Sequence, residues 1–196
     1  MAQTLRQMAG ADPNPHKLEN SAVLMIDTQL EYVSGRMVCD GVEAALDQGG
    51  RLLAKARAAG RPVIHIQHKG ASGGLFDPGT DNFLIAPQVS PESDEPVINK
   101  ALPNAFAGTD LETVFRGLGC DSLIIAGFMT HMCVSSTARA ALDLGIPCTV
   151  VADACATRDL PDANGDVVRG RDLHRFELVA LSDRFCPIAG SVNDIE

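Results

Sequence analysis

The chain has 196 residues, 45% hydrophobic and 21% charged, an ordinary balance for one domain with a sizeable core. Its formal net charge of -9 argues against a nucleic-acid partner, which calls for a basic face, and against docking on an anionic membrane. No window holds the roughly 18 continuous apolar residues of a membrane helix, and no apolar stretch of a secretory signal precedes Pro13 and Pro15, so a cytoplasmic location is expected. Six cysteines, at 39, 120, 133, 148, 155 and 186, contain no C-x-x-C pair. They read as small buried apolar groups, neither a disulfide scaffold nor a zinc site.

Residues 1–20 read as an arm with one helical turn near Leu5 to Met8, and residues 21–196 as a single domain. The run Ala22-Val23-Leu24-Met25-Ile26 is continuously apolar, the pattern of a strand covered on both faces. A helix over 42–59 stops at Gly60, and Pro62 opens the strand Val63-Ile64-His65-Ile66. Residues 84–96 read as loop before a short strand, Val97-Ile98. Thr109 with Glu112 three residues on has the form of a capping box, and Leu111, Val114, Phe115 and Leu118 give the following helix its apolar stripe. Ser122-Leu123-Ile124-Ile125-Ala126 is the next strand, and a helix starts near Cys133 with Val134, Ala138, Ala141 and Leu142 on one face. Cys148-Thr149-Val150-Val151 is a further strand. A polar loop then leads to a helix over 171–183, and 185–189 forms a last strand.

Strands alternating with helices imply an α/β protein, a three-layer sandwich around a mostly parallel, Rossmann-like sheet of about six strands. In such sheets ligands bind beyond the carboxyl ends of the strands. Asp27, Lys100 and the segment from Gly127 to Cys133 all stand at such ends. A cysteine where a helix begins faces free amides that favour a thiolate and can hold a developing oxyanion. Read singly, Cys133 could equally be packing, Asp27 a turn residue and Lys100 a solvated loop lysine.

Read together, three stretches carry a resemblance. These are Leu24-Met25-Ile26-Asp27-Thr28-Gln29, then Val97-Ile98-Asn99-Lys100, then Gly127-Phe128-Met129-Thr130-His131-Met132-Cys133-Val134 with Thr137-Ala138-Arg139. With Asp153-Ala154 they resemble the isochorismatase-like cysteine hydrolases, the superfamily of nicotinamidase and related amidases, from about residue 22 to 185. The resemblance implies Cys133 as nucleophile, Asp27 as acid/base and Lys100 as the cation that orients Asp27 and lowers the thiol pKa. It also implies a cis peptide between Phe128 and Met129, with the backbone amides of Met129 and Cys133 holding the oxyanion. The implied reaction is cleavage of a C–N bond in a small amide, ureide or carbamate through a thioester. Alternatives are hydrolysis of a non-amide substrate and a non-catalytic binding protein on the same fold. Cys133 itself argues against the vinyl-ether chemistry of true isochorismatases, which lack that cysteine.

Nicotinamidases carry a metal on an Asp-x-His pair and a further histidine, whereas Thr28-Gln29-Leu30-Glu31-Tyr32 offers no histidine. His65 and His68, three apart in a strand, point to opposite faces, so one metal does not suit both. No cofactor and no metal are expected, and nicotinamide is not the expected main substrate. His65 is assigned to the core or a layer boundary, and His68 to the pocket rim. His131, two positions before Cys133, is not placed to face the thiol; His174 reads as structural or interfacial. Candidate pocket residues are Gln29, Tyr32, His68, Phe76, Phe106, Phe128 and His131, with the loops 31–40 and 68–83 setting specificity. Gly70, Gly73 and Gly74 match no phosphate-binding loop. The expected partners are a small-molecule substrate and further copies of the chain in a homo-oligomer.

Overall fold

A computed structural model of the protein describes residues 2–196; the first residue of the arm, Met1, lies outside the described residues. Six parallel strands form the central sheet: β1 (Ser21–Ile26), β2 (Val63–His68), β3 (Val97–Lys100), β4 (Ser122–Phe128), β5 (Cys148–Ala156) and, after a separate two-stranded hairpin of β6 (Leu160–Pro161) and β7 (Val167–Val168), β8 (Ile188–Ala189). Their order is β3-β2-β1-β4-β5-β8. The chain builds outward in one direction from β1 to β3 and then crosses back to β4. β1 and β4 therefore flank the switch point of a doubly wound sheet, where ligands gather.

The helices are α1 (Leu5–Met8), α2 (Val42–Ala58), α3 (Leu111–Gly117), α4 (Ser135–Asp143) and α5 (Gly170–Arg184). Every residue of β1 is buried because its two faces meet different layers. Val23 and Met25 join Leu46, Leu52, Leu53 and Ala56 of α2 in one core. Ala22, Leu24 and Ile26 join Leu111 and Phe115 of α3, Ala138 and Ala141 of α4 and Leu181 of α5 in the other. The period-2 alternation of a strand thus divides one apolar run between two helical layers, giving the three-layer sandwich.

The arm lies against its own chain. Leu18 is buried, its amide donates to the carbonyl of Glu196 at 2.6 Å, the His16 amide donates to Thr149 Oγ1 at 2.9 Å, and the Leu5 amide donates to Asp183 Oδ1 at 2.8 Å. Leu5 and Met8 nevertheless remain exposed.

Several boundaries differ from the sequence reading. The Thr109–Glu112 capping box does not form: α3 begins after Asp110, whose side chain makes no cap bond, Thr109 Oγ1 donates to the Ala105 carbonyl and accepts from the Leu111 amide at 3.3 Å, and Glu112 pairs with Arg116 one turn on at 2.8 Å. β5 runs five residues beyond Val151, past a register shift against β4, so the polar Asp153 sits inside a strand. The loop before α5 carries the β6–β7 hairpin, and the last strand shrinks to Ile188–Ala189. Cys133 precedes α4 proper, inside a wider turn over Thr130–Val134.

Candidate active site

Asp27, Lys100 and Cys133 come from three separate elements and meet in one buried cluster. Asp27 follows β1 directly, with its amide donating to the Ile66 carbonyl of β2 at 2.9 Å. Its φ of +50° is a left-handed conformation that aspartate tolerates better than most residues and that turns the chain at the strand end. Lys100 is the last residue of β3, in register with His68 on β2. Cys133 sits in the turn between β4 and α4, where the Met129 carbonyl accepts from the amides of Met132 (3.0 Å) and Val134 (3.2 Å). The Phe128–Met129 peptide that opens this turn is cis.

Gly127 makes the close approach of β1 and β4 possible. Its φ is +118°, and a Cβ there would lie 2.0 Å from the Ile26 carbonyl oxygen, so any side chain would push the two strands apart beside Asp27.

The three functional groups centre on the lysine. Lys100 Nζ lies 2.7 Å from Asp27 Oδ2 and 3.3 Å from Cys133 Sγ, and the side chains of Asp27 and Lys100 are both fully buried. Lys100 Nζ is also 3.0 Å from His68 Nδ1. Burial pushes the Asp27 carboxyl up to about 6 against the pull of Lys100. Burial and the facing Asp27 carboxylate push the Cys133 thiol up to about 12, and Lys100 offsets only part of this. The implied lowering of the thiol pKa by the lysine is thus present but outweighed. At neutral pH the resting site holds an ionised Asp27, an ammonium and a protonated thiol.

The remaining sequence candidates fall into different places. Tyr32, Phe76 and Phe128 form one aromatic cluster, with Tyr32 to Phe76 at 5.2 Å and Tyr32 to Phe128 at 5.9 Å, and Phe76 lies 4.9 Å from the His68 ring. Gln29 is fully buried and acts as a clamp: its Oε1 accepts from the His68 amide (2.8 Å), and its Nε2 donates to the carbonyls of His68 (3.0 Å) and Phe83 (2.8 Å). Phe106 packs in the other core, the one containing Cys133. His131 is half-buried and bonded to Thr157, and His174 bonds Thr130 Oγ1 at 2.8 Å, tying α5 to the cysteine turn. His65 is buried against Glu95 at 2.9 Å, which in turn pairs with Arg57, so it belongs to the scaffold.

Two features had no usable signal in the sequence. The Lys100–His68 bond depends on strand register, which local patterns do not report. A surface cavity of about 740 Å³ beside the segment 36–40 is lined by Arg36, Cys39, Arg158, Arg169 and Arg171, residues far apart in the chain. Among the described residues, Asp27, His68 and Cys133 are the one set of three donors close enough to share a metal ion, all within 4.8 Å of one another. That set surrounds the Lys100 ammonium, so the cation these donors fit is one the chain already supplies.

A doubly wound α/β sheet with a buried cysteine, carboxylate and lysine meeting beyond its strand ends defines a hydrolase of the isochorismatase-like class. Residues 21–191 match the isochorismatase domain, and the chain belongs to that family. It is 32% identical over 189 residues to a secreted isochorismatase effector of Verticillium dahliae, covering 96% of this chain and 97% of that protein. It is 30% identical over 178 residues to a maleamate amidohydrolase of Pseudomonas putida, covering 77% of this chain and 84% of the other. The crystal structure of an isochorismatase from Pseudomonas putida superposes with a TM-score of 0.95 at 39% identity, covering the whole of both chains.

Proposed function

We propose that the protein is a cysteine amidohydrolase that cleaves the C–N bond of a small amide, ureide or carbamate through a thioester on Cys133. The observation that carries this reading is the contact of one buried ammonium with both the Asp27 carboxylate and the Cys133 sulfur. The likeness to maleamate amidohydrolase supports the choice of bond, as does 37% identity over 142 residues to a streptothricin hydrolase of Streptomyces noursei, half of whose length is covered.

Asp27, ionised at neutral pH, takes the thiol proton as Cys133 Sγ bonds to the substrate carbonyl carbon. The carbonyl electron pair moves to oxygen, facing the backbone amides of Met129 and Cys133. Collapse of this intermediate breaks the C–N bond, with the proton on Asp27 passing to the departing nitrogen. Water then attacks the thioester, Asp27 removes its proton, and the acid leaves as that proton returns to sulfur. Lys100 holds the carboxylate in place and balances its charge throughout.

The same reading holds the reaction independent of an added metal and nicotinamide a poor substrate, since Lys100 fills the donor set that an ion would need. Six free cysteines, most of them buried, suit a cytoplasmic setting, and no helix among the described residues is long and apolar enough to cross a membrane. Exposed Phe176 and Val179 on α5, together with Leu5 and Met8, support a homo-oligomer.

The test is release of amine or ammonia from a panel of small amides, ureides and carbamates by the wild type and by Cys133→Ala. Turnover of at least one member by the wild type, and of none by the variant, is expected. Undiminished turnover by Cys133→Ala contradicts the assignment.

A further inference from the structure

We propose that His68 is a positioning residue of this site: as a neutral imidazole it accepts a hydrogen bond from the Lys100 ammonium through Nδ1 and so holds Nζ between Asp27 and Cys133. The inference rests on the reading of Cys133 and Asp27 as the reacting pair.

The Lys100 ammonium has three N–H donors and no acceptor. Three acceptors stand around it: Asp27 Oδ2 at 2.7 Å, His68 Nδ1 at 3.0 Å and Cys133 Sγ at 3.3 Å. Asp27 and Cys133 are the groups whose proton exchange makes up the proposed reaction, so the bond to His68 is the one free of that exchange. It is the fixed third point that determines where the lysine sits while the other two change charge.

The surroundings of His68 are built to keep the imidazole still. Its backbone is held on both sides by the buried Gln29 amide, which accepts from the His68 N–H and donates to the His68 C=O. Register pairs His68 with Lys100 across neighbouring parallel strands, which puts both side chains on one face. Phe76 covers the ring at 4.9 Å and is itself packed on Tyr32. Phe76 reaches that place through an unusual loop. Its own φ is +57°, and the Gly70 amide donates to its carbonyl at 3.0 Å. A Cβ on Gly70 would come within 1.8 Å of the Leu75 carbonyl oxygen.

The protonation state fits the role. Lys100 Nζ stands 3.0 Å from Nδ1, and donor atoms of Asp27 and Cys133 lie within 4.8 Å of the ring. Burial, helped by the Lys100 charge, lowers the His68 pKa to about 4. The ring is therefore neutral wherever Asp27 is ionised, and Nδ1 is free to accept. This geometry also fixes the tautomer, with the proton on Nε2.

Two measurements test the proposal. In the first, nitrogen NMR of histidine-labelled protein reports the state of the His68 ring without any substrate. The expected result is a ring neutral at pH 7 with an unprotonated Nδ1, whose midpoint moves up in Lys100→Met. A protonated Nδ1 at pH 7, or a midpoint unchanged in Lys100→Met, overturns the proposal. In the second, kcat and KM are compared for His68→Ala and for His68→Asn, whose Oδ1 reproduces the Nδ1 acceptor. Leaving one buried donor of the ammonium unmatched corresponds to a loss of about 5- to 150-fold. That loss is expected in kcat for His68→Ala, with KM changed less than about threefold and most of the rate recovered in His68→Asn. Wild-type kcat in His68→Ala, or His68→Asn as impaired as His68→Ala, overturns the proposal. Should His68→Ala not fold, His68→Asn is set against His68→Gln, whose carbonyl reaches the Nε2 position. A wild-type rate in the first and a loss in the second supports the role, and equal rates overturn it. If the wild type turns over no amide, the functional reading fails, and the NMR result alone decides the place of His68.

Discussion

Replacing Lys100 by Met should cost stability in a way that depends on pH. The two side chains are fully buried, and Nζ lies 2.7 Å from Asp27 Oδ2. Removing one partner of such a pair leaves an uncompensated buried charge, a loss of roughly 3–5 kcal/mol. The carboxyl can escape that loss by taking up a proton, so its size follows the charge on Asp27. In the wild type the Asp27 carboxyl titrates near 6, above its ordinary value of 3.8. Between these values the folded chain binds more protons than the unfolded chain, so stability falls as pH rises through the window, by about 3 kcal/mol in total. Without Lys100 the window extends further upward. Urea unfolding of Lys100→Met should therefore show a small deficit at pH 5 that grows to about 3 kcal/mol by pH 8, the most that two pH units above a midpoint of about 6 allow. For a domain of this size that is a drop in Tm of roughly 6–12 °C at pH 8. Adding Asp27→Asn should restore most of the loss at pH 8, because no unpaired charge remains. A deficit equal at pH 5 and pH 8, or a double variant no better than the single one, would refute the electrostatic reasoning and leave only lost packing.

Other expectations follow from the same geometry. The rate constant kcat/KM should rise with pH through a midpoint near 6, since Asp27 must be ionised to take the thiol proton; a flat profile from pH 5 to 8 would exclude it as the base. Exhaustive chelation should leave activity on the best amide within about twofold, and nicotinamide should be hydrolysed poorly; loss of activity restored by zinc, manganese or iron would overturn this. Light scattering at micromolar concentration should show an oligomer, and substituting Phe176 and Val179 by Ser should shift it toward monomer. A wild type that is monomeric throughout would contradict that reading.

The layers of this fold were legible because buried parallel strands announce themselves. The runs 22–26 and 123–126 are apolar without interruption, and Gly60 with Pro62 marks the passage from α2 to β2. Asp27 and Cys133 could be placed because each directly adjoins such a run or the turn that follows it. Lys100 was harder, since Val97-Ile98 is short and the strand continues through Asn99 to Lys100 itself. The role of Gln29 was not legible: a glutamine beside a candidate site reads as a pocket group, and only the folded chain shows its amide spent on the backbone of His68 and Phe83. The tail of β5 has no signature in the sequence because Asp153 interrupts the apolar pattern. Its carboxylate is instead used to accept from the Val192 amide at 3.1 Å. The Thr109–Glu112 box does not form because α3 starts one residue later, after Asp110: Thr109 Oγ1 accepts from the Leu111 amide at 3.3 Å, and the Glu112 carboxylate pairs with Arg116.

The thioester on Cys133 can be trapped directly. Wild-type protein is mixed with an amide that it hydrolyses, quenched in acid within milliseconds to seconds, digested and analysed by mass spectrometry. The expected result is the mass of the acyl group on the peptide that contains Cys133, lost on treatment with hydroxylamine and absent from Cys133→Ala. Turnover of that amide with an unmodified Cys133 peptide at every quench time, and undiminished turnover in Cys133→Ala, would contradict it.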